Sequence, residues 1–306
     1  MRGFAKFILH GRVRALLVTL VAATLSMVLP PFSHISGATV ALVTLRNGAF
    51  EGTLVFLGAA GLLLLMGFLS SIDMSVVQFF VLSLVVAVWI PVLLGAAVLR
   101  RLRSLALALT TVALLALVAM LAFYLIVGDV KSWWYPLLQV LFEPLWEATS
   151  VPMSAAEQEQ FLRSIADMTT GLMAVMLVYS VTINLCLGRW WQAMLFNPGG
   201  FRREFHQLRL DWRLSILVLL LALIAGLANG NVQGFAQDAM LLIMALFSLH
   251  GLALVHAVVA ARGMHWGILM AVYVLVVFIS QVAVMILAAL GLSDSWLDFR
   301  RRMAIK

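Results

Sequence analysis

Hydrophobic residues occupy this chain in long unbroken runs, and polar positions interrupt them only at intervals. Nine runs stand out, at residues 15–29, 37–45, 52–69, 76–99, 104–127, 170–187, 214–228, 239–261 and 267–290. Most approach the roughly 20 residues that an α-helix needs to cross about 30 Å of hydrocarbon. Each is predicted to be a helix, because an apolar segment in lipid satisfies its own backbone hydrogen bonds only in that form or in a closed barrel. The 3.6-residue periodicity is faint, as it must be where both faces of a helix are apolar. The run at 37–45 is too short to span alone, and Pro30 and Pro31 end or kink the helix before it. It reads as a short helix buried against its neighbours or as the outer half of a broken one. The predicted fold class is all-α, a polytopic helical membrane protein with about eight to nine membrane helical segments in one integral membrane domain over residues 1–306.

Composition sharpens this picture. The chain is 64% hydrophobic and 11% charged, with a mean hydropathy of +1.09, whereas a soluble domain is about half apolar and roughly a quarter charged. A soluble enzyme is excluded. The single cysteine, Cys186, rules out an internal disulfide or a cysteine-built metal site, and its apolar neighbours make it an inert packed thiol. Arg2, Lys6, Arg12 and Arg14 precede the first run in the manner of a secretory signal. No small-x-small cleavage site follows, so a retained signal-anchor helix is expected.

The distribution of basic residues orients the chain. With a cytoplasmic N-terminus and nine crossings, fourteen of the 20 Lys and Arg residues fall on the inner side and six on the outer side. The exceptions concentrate in Arg300, Arg301 and Arg302. A cytoplasmic tail would obey the rule better and needs one segment, 37–45 or part of the last, to fall short of crossing, so the side of the C-terminus stays open. The net charge of +7 reads as cytoplasmic flanks beside anionic lipid. The expected partner is therefore the lipid bilayer and not nucleic acid.

Two stretches lie outside the runs. The outer loop at 129–169 carries six acidic residues against Lys131 and Arg163, with Trp133, Trp134, Tyr135 and Trp146 of the kind that sit at headgroup level. Within it Ser154 and Glu157 have capping-box spacing. Phe161, Leu162, Ile165 and Met168 then form a stripe on a helix expected to lie on the membrane before entering the span at Thr170. The inner amphipathic loop at 188–213 contains the turn Asn197, Pro198, Gly199 and Gly200. Beyond it Phe201, Phe205, Leu208 and Trp212 recur at helical spacing, with Arg202, Arg203, Arg209 and Arg213 on other faces. A basic amphipathic helix over 201–213 is predicted, either as an interfacial anchor or as a docking surface for lipid or for another membrane or cytoplasmic protein.

No phosphate loop, HExxH or GxSxG element occurs, and neither enzymatic activity, a cofactor nor a metal is expected. Strongly polar residues within spans are costly and so become candidates. They are Gln78, Asn184, His250, His256 and Gln281. Of these, Asn184, His250, His256 and Gln281 are candidates for a substrate path, with helix-to-helix hydrogen bonding as the alternative. The two histidines sit roughly 120° apart around one helix, too far for a chelating pair. Glu51 and Asp238 fall at span ends and Asp73 in a turn, so no intramembrane carboxylate is expected. Small residues repeat every four positions at Ala222, Gly226 and Gly230 and at Ala253, Ala257 and Ala261, which predicts close helix approach there.

Three stretches carry a family resemblance: Ser36 to Gly48, Phe196 to Arg209 with its Asn-Pro-Gly-Gly turn, and Gly291 to Arg302 with its Asp-Phe-Arg-Arg-Arg ending. Together they resemble the YybS-like family of bacterial predicted membrane proteins, a domain of unknown function, over nearly the whole chain. The resemblance implies a bacterial inner-membrane location. It also implies distant kinship to the substrate-binding S components of energy-coupling-factor transporters and to the rod-shape protein MreD. The leading expectation is a non-enzymatic protein that binds a small solute between helices, and the alternative is a structural or assembly factor of the cell envelope. The family supplies no ligand residues to carry over.

Overall fold

The computed structural model describes residues 1–70, 72–148 and 153–304. Among the described residues all regular structure is helical. The helices are α1 (Arg2–Leu9), α2 (Arg12–Leu25), α3 (Phe32–Asn47), α4 (Ala49–Phe68), α5 (Met74–Leu84), α6 (Ile90–Leu102), α7 (Leu105–Val127) and α8 (Val130–Ala148). They continue with α9 (Ala155–Phe196), α10 (Gly200–His206), α11 (Trp212–Leu227), α12 (Gly230–Ala261), α13 (Gly267–Phe278), α14 (Ser280–Leu297) and α15 (Phe299–Ala304). A π-helical turn, Val85–Trp89, joins α5 to α6 in one span. Its cause is Pro91, which has no N–H for Ala87 and whose ring crowds that carbonyl, so the helix widens just before it.

Among the described residues six helices are long and apolar enough to cross a membrane: α4, the α5–α6 span, α7, α9, α12 and α14. A seventh is reached only if α1 and α2, bent by 120°, count as one broken span. The difference from the eight to nine expected segments lies in three runs, and a fourth is divided. The run at 15–29 becomes α2, whose 14 residues extend about 21 Å. The run at 37–45 becomes α3, 16 residues and about 24 Å. The run at 214–228 becomes α11, also of 16 residues, and the last run breaks at Ile279 into α13 and α14.

Two helices form the axis of the bundle. Every residue of α3 from Ser36 to Leu45 is buried, packed by α2, α4, α6 and α9. Its small side chains permit this, and Gly188 of α9 lies so close that a Cβ there would meet Ala41 Cβ at 2.7 Å. The expectation of a short helix buried against its neighbours holds for this segment. The second axis is α12, whose buried face meets α7, α9, α11 and α14. It crosses α14 at two glycines: a Cβ on Gly251 would sit 1.8 Å from the Leu287 carbonyl oxygen, and one on Gly291 would sit 2.1 Å from that of Phe247. The predicted small-residue stripe behaves differently. Gly226 faces open space, and Gly230 takes a φ of +63° at the start of α12.

Polar contacts sort the helix ends into two groups. At one end Arg12 of α2 pairs with Glu51 of α4 at 2.6 Å. Arg100 of α6 donates to the Thr44 carbonyl of α3 at 3.2 Å, and Gln192 of α9 donates to the Leu45 carbonyl. Helix α1 lies against the same end, with Phe4 edge-on to Trp191 of α9. The end of α14 joins this group through Arg209, whose guanidinium reaches the Asp294 and Ser295 carbonyls and Asp298. Both terminal segments therefore occupy the same, basic end of the bundle.

The opposite end holds α8, which no apolar run marks, with Pro136 and Pro144 inside it. The capping box forms as predicted, Ser154 Oγ accepting from the Glu157 amide and Glu157 Oε2 accepting from the Ser154 amide at 2.8 Å. From there α9 runs unbroken for 42 residues. Its early stripe is taken up by α8, with Leu162 and Ala166 buried beside Leu138, Trp134 and Trp146. The predicted basic helix over 201–213 is shorter than expected. It ends at His206, Leu208 and Leu210 bury in a non-helical connection, and Asp211 caps α11 by accepting from the Arg213 amide.

Candidate functional site

The polar residues of α12 each bond to a different neighbour. Asp238 Oδ2 accepts from Tyr124 of α7 at 2.7 Å, Ser248 bonds with Tyr179 of α9 at 2.8 Å, His250 Nε2 meets Asp294 of α14 at 2.9 Å, and His256 Nε2 meets Tyr273 of α13 at 2.9 Å. Helical rotation explains the division, since positions 238, 248 and 250 point in separate directions around one axis. In lipid, where apolar packing distinguishes poorly between neighbours, such bonds select which helices meet.

The densest cluster surrounds His250 and Asp294, whose side chains are both fully buried. Asp294 Oδ1 accepts from the Phe299 amide at 2.8 Å, which anchors the start of α15. The Arg300 guanidinium lies 3.8 Å from Asp294 Oδ2 and donates to the Leu208 carbonyl at 2.8 Å. Among the described residues the other ring nitrogen, His250 Nδ1, is buried without a hydrogen-bond partner beside the stacked ring of Phe247. The absence of intramembrane carboxylates expected from the sequence is thus corrected: Asp238 and Asp294 are both buried. The sequence placed Asp238 at a span end and left Asp294 beyond the last apolar run, but α12 starts at Gly230 and α14 runs on to Leu297, which draws both inside helices.

A second cluster lies on the seam between α3, α9 and the π turn. Asn184 is fully buried, its amide donating to the Ser180 carbonyl at 2.8 Å, while its Oδ1 faces Gly37 and has no hydrogen-bond partner. A Cβ at residue 37 would come within 2.6 Å of that oxygen, so only glycine fits. His34, one turn earlier on α3, presents its side chain to Asn184, and its buried Nδ1 makes no hydrogen bond of good geometry. Trp89, set by the π turn, donates to Ser36 Oγ at 2.8 Å and packs on Phe56.

The third group is the 197–209 turn and helix at the basic end. Gly199 takes the left-handed φ of +79° that the Asn-Pro-Gly-Gly turn requires, and the Gly200 amide donates to the Asn197 carbonyl at 2.8 Å. Pro198 is exposed, as are Arg202 and Arg203, the latter reaching Asn197 Oδ1 at 3.3 Å. Phe201 is half-buried against Phe205, whose ring meets His256. Glu204 pairs with Arg189 of α9. Burial, aided by the charges of Arg202 and Arg300, pushes the His206 imidazole below its usual range. Arg209 is committed to the end of α14 and holds the Asp298 carboxyl below its usual range.

The four candidate path residues do not converge. Asn184 belongs to the α3–α9 seam, His250 to the α12–α14 crossing and His256 to the basic end, while Gln281 is exposed in the first turn of α14. Sequence reasoning missed Asp294, Asp238, Tyr124, His34 and Trp89. The π turn had a visible signal in Pro91, and Asp294 had one in its position between apolar residues and the arginine tail. Among the described residues no three His, Cys, Asp or Glu side chains could hold a metal ion together. No family model matches the chain, and no curated protein or solved structure is similar to it.

Proposed function

We propose that this chain is a non-enzymatic, multi-pass protein of the bacterial inner membrane, with its basic end and both terminal segments cytoplasmic. In this reading it binds a small polar solute between helices, in the manner of an S component. The helices α2, α3, α11 and α13 then complete the crossings that the six long helices begin, with α2 and α3 forming a hairpin that stops short of the far face.

The observation that carries the reading is the buried polar pair Asn184 and His34 on facing helices beside the π turn, whose side chains interact with each other while Asn184 Oδ1 and His34 Nδ1 make no hydrogen bond of good geometry. Buried polar atoms are nearly always well satisfied, so a seam whose two polar groups answer only one another, and imperfectly, favours a hydrogen-bonding guest between them. Distortions of the π type also concentrate at working sites. A solute with hydrogen-bond donors suits the Asn184 oxygen. Purified protein screened against vitamins and metabolites is expected to gain thermal stability from at least one compound, about 2.7 kcal/mol at a hundred times Kd. Asn184→Ala should abolish that gain, and a broad screen without a stabilised hit refutes the reading.

An MreD-like assembly factor is the second reading. It is favoured by exposed Arg202 and Arg203 on a helix already fastened to the bundle through Glu204. In-cell crosslinking from position 202 that recovers a cell-envelope protein, without a transport defect on deletion, would support it over the first.

A further inference from the structure

Helix α1 folds back across α2 at 120° and roofs a groove of about 360 Å³. Its walls are apolar throughout, among them Phe4 and Phe7 of α1, Leu17 and Val21 of α2, and Phe32 of α3. The other face of α1 is held down, with Ala5 and Ile8 buried and Phe4 against Trp191. The groove is therefore a fixed feature of the basic end and not the wake of a loose helix.

Charge at its mouth is uneven. Two cations begin α2, and Arg12 is neutralised by a two-pronged bond to Glu51 at 2.6 and 2.7 Å. Among the described residues Arg14 has no acidic partner. It is exposed, and its guanidinium lies 5.2 Å over the Phe7 ring, which itself lines the groove. An uncompensated cation thus stands directly above an apolar slot, in the first turn of α2. A fatty chain fits the slot and a phosphodiester fits the cation, and the two features lie within one lipid's reach.

We propose that this groove is a binding site for an anionic phospholipid, with one acyl chain beneath α1 between α2 and α3 and the headgroup phosphate on Arg14. The site does not depend on the solute reading, because it shares no residue with the Asn184 seam.

The test is native mass spectrometry of the purified full-length chain titrated with dioleoylphosphatidylglycerol or dioleoylphosphatidylcholine. Wild type should retain the anionic lipid about fivefold more, the factor that one basic residue near the surface supplies. Arg14→Gln, at an exposed position, should equalise the two lipids. Val21→Trp, which fills the groove, should reduce retention of both, while Arg101→Gln, exposed on the same end but outside the groove, should leave the preference intact. Inorganic phosphate should not compete, because it lacks the chain. Equal retention of both lipids by wild type, or an unchanged preference in Arg14→Gln, overturns the proposal.

Discussion

Replacing Gly251 by alanine adds one methyl group at the point where α12 and α14 touch. The Cβ would lie 1.8 Å from the Leu287 carbonyl oxygen, against the 3.4 Å of an ordinary contact, a deficit of 1.6 Å. Both sides are helical backbone, so no side chain can rotate away and the helices must separate. Overpacking of this kind costs about 1–3 kcal/mol, and the rigidity of the contact places Gly251→Ala at the upper end. The same separation loosens the His250–Asp294 bond one residue away. Gly226→Ala is the matched control. Nothing lies within 4 Å of its new methyl, and exchanging glycine for alanine inside a helix gains up to ~1 kcal/mol. Thermal midpoints in one detergent should therefore move in opposite directions, with Gly251→Ala lower and Gly226→Ala equal or higher. Gly251→Ala/Gly291→Ala should cost less than the sum of the singles, because a gap already opened admits the second methyl. A Gly251→Ala protein as stable as wild type would refute the account of the crossing.

Other outcomes follow from single contacts. Tyr124→Phe leaves buried Asp238 Oδ2 without its donor and should cost about 1–3 kcal/mol in unfolding measurements. Tyr179→Phe should cost less, since Ser248 still donates to the Ala245 carbonyl. His250→Phe removes a hydrogen bond to a buried carboxylate and should cost about 1.5–3 kcal/mol; a neutral effect in the thermal midpoint would deny the pair its role. The Asp298 carboxyl lies below its usual range because Arg209 bonds its charged form. A depressed acid stabilises above its unfolded pKa of about 3.9 and loses that contribution as pH falls through the lower folded value. Hydrogen exchange over residues 299–304 should accordingly rise only below about pH 4, and Arg209→Gln should raise it already at neutral pH.

Several features were legible along the chain because they are local. The capping box at Ser154, the Asn-Pro-Gly-Gly turn and the buried character of 37–45 each depend on a few adjacent residues, and all three form as read. The 201–213 helix failed for a reason the local pattern does not contain. Leu208 and Trp212 keep helical spacing to Phe201 and Phe205, yet the Leu208 carbonyl is taken by Arg300, 92 positions away, and Asp211 starts a new helix. The Ala222, Gly226 and Gly230 stripe failed likewise: Gly226 has the right spacing but open space beside it, whereas Gly251 and Gly291 have no such repeat between them and meet in space.

By itself the sequence determined the solvent and the form of this protein. An apolar content of 64% in long runs leaves lipid as the surroundings and the helix as the structure that satisfies its backbone there. Tertiary structure alone decided which helices touch, which end carries both terminal segments, and that Asp238 and Asp294 lie inside. The physical reason is that hydrophobicity drives a segment into the membrane without naming its neighbour. Neighbours are chosen by backbone proximity at glycines and by hydrogen bonds between side chains far apart in sequence.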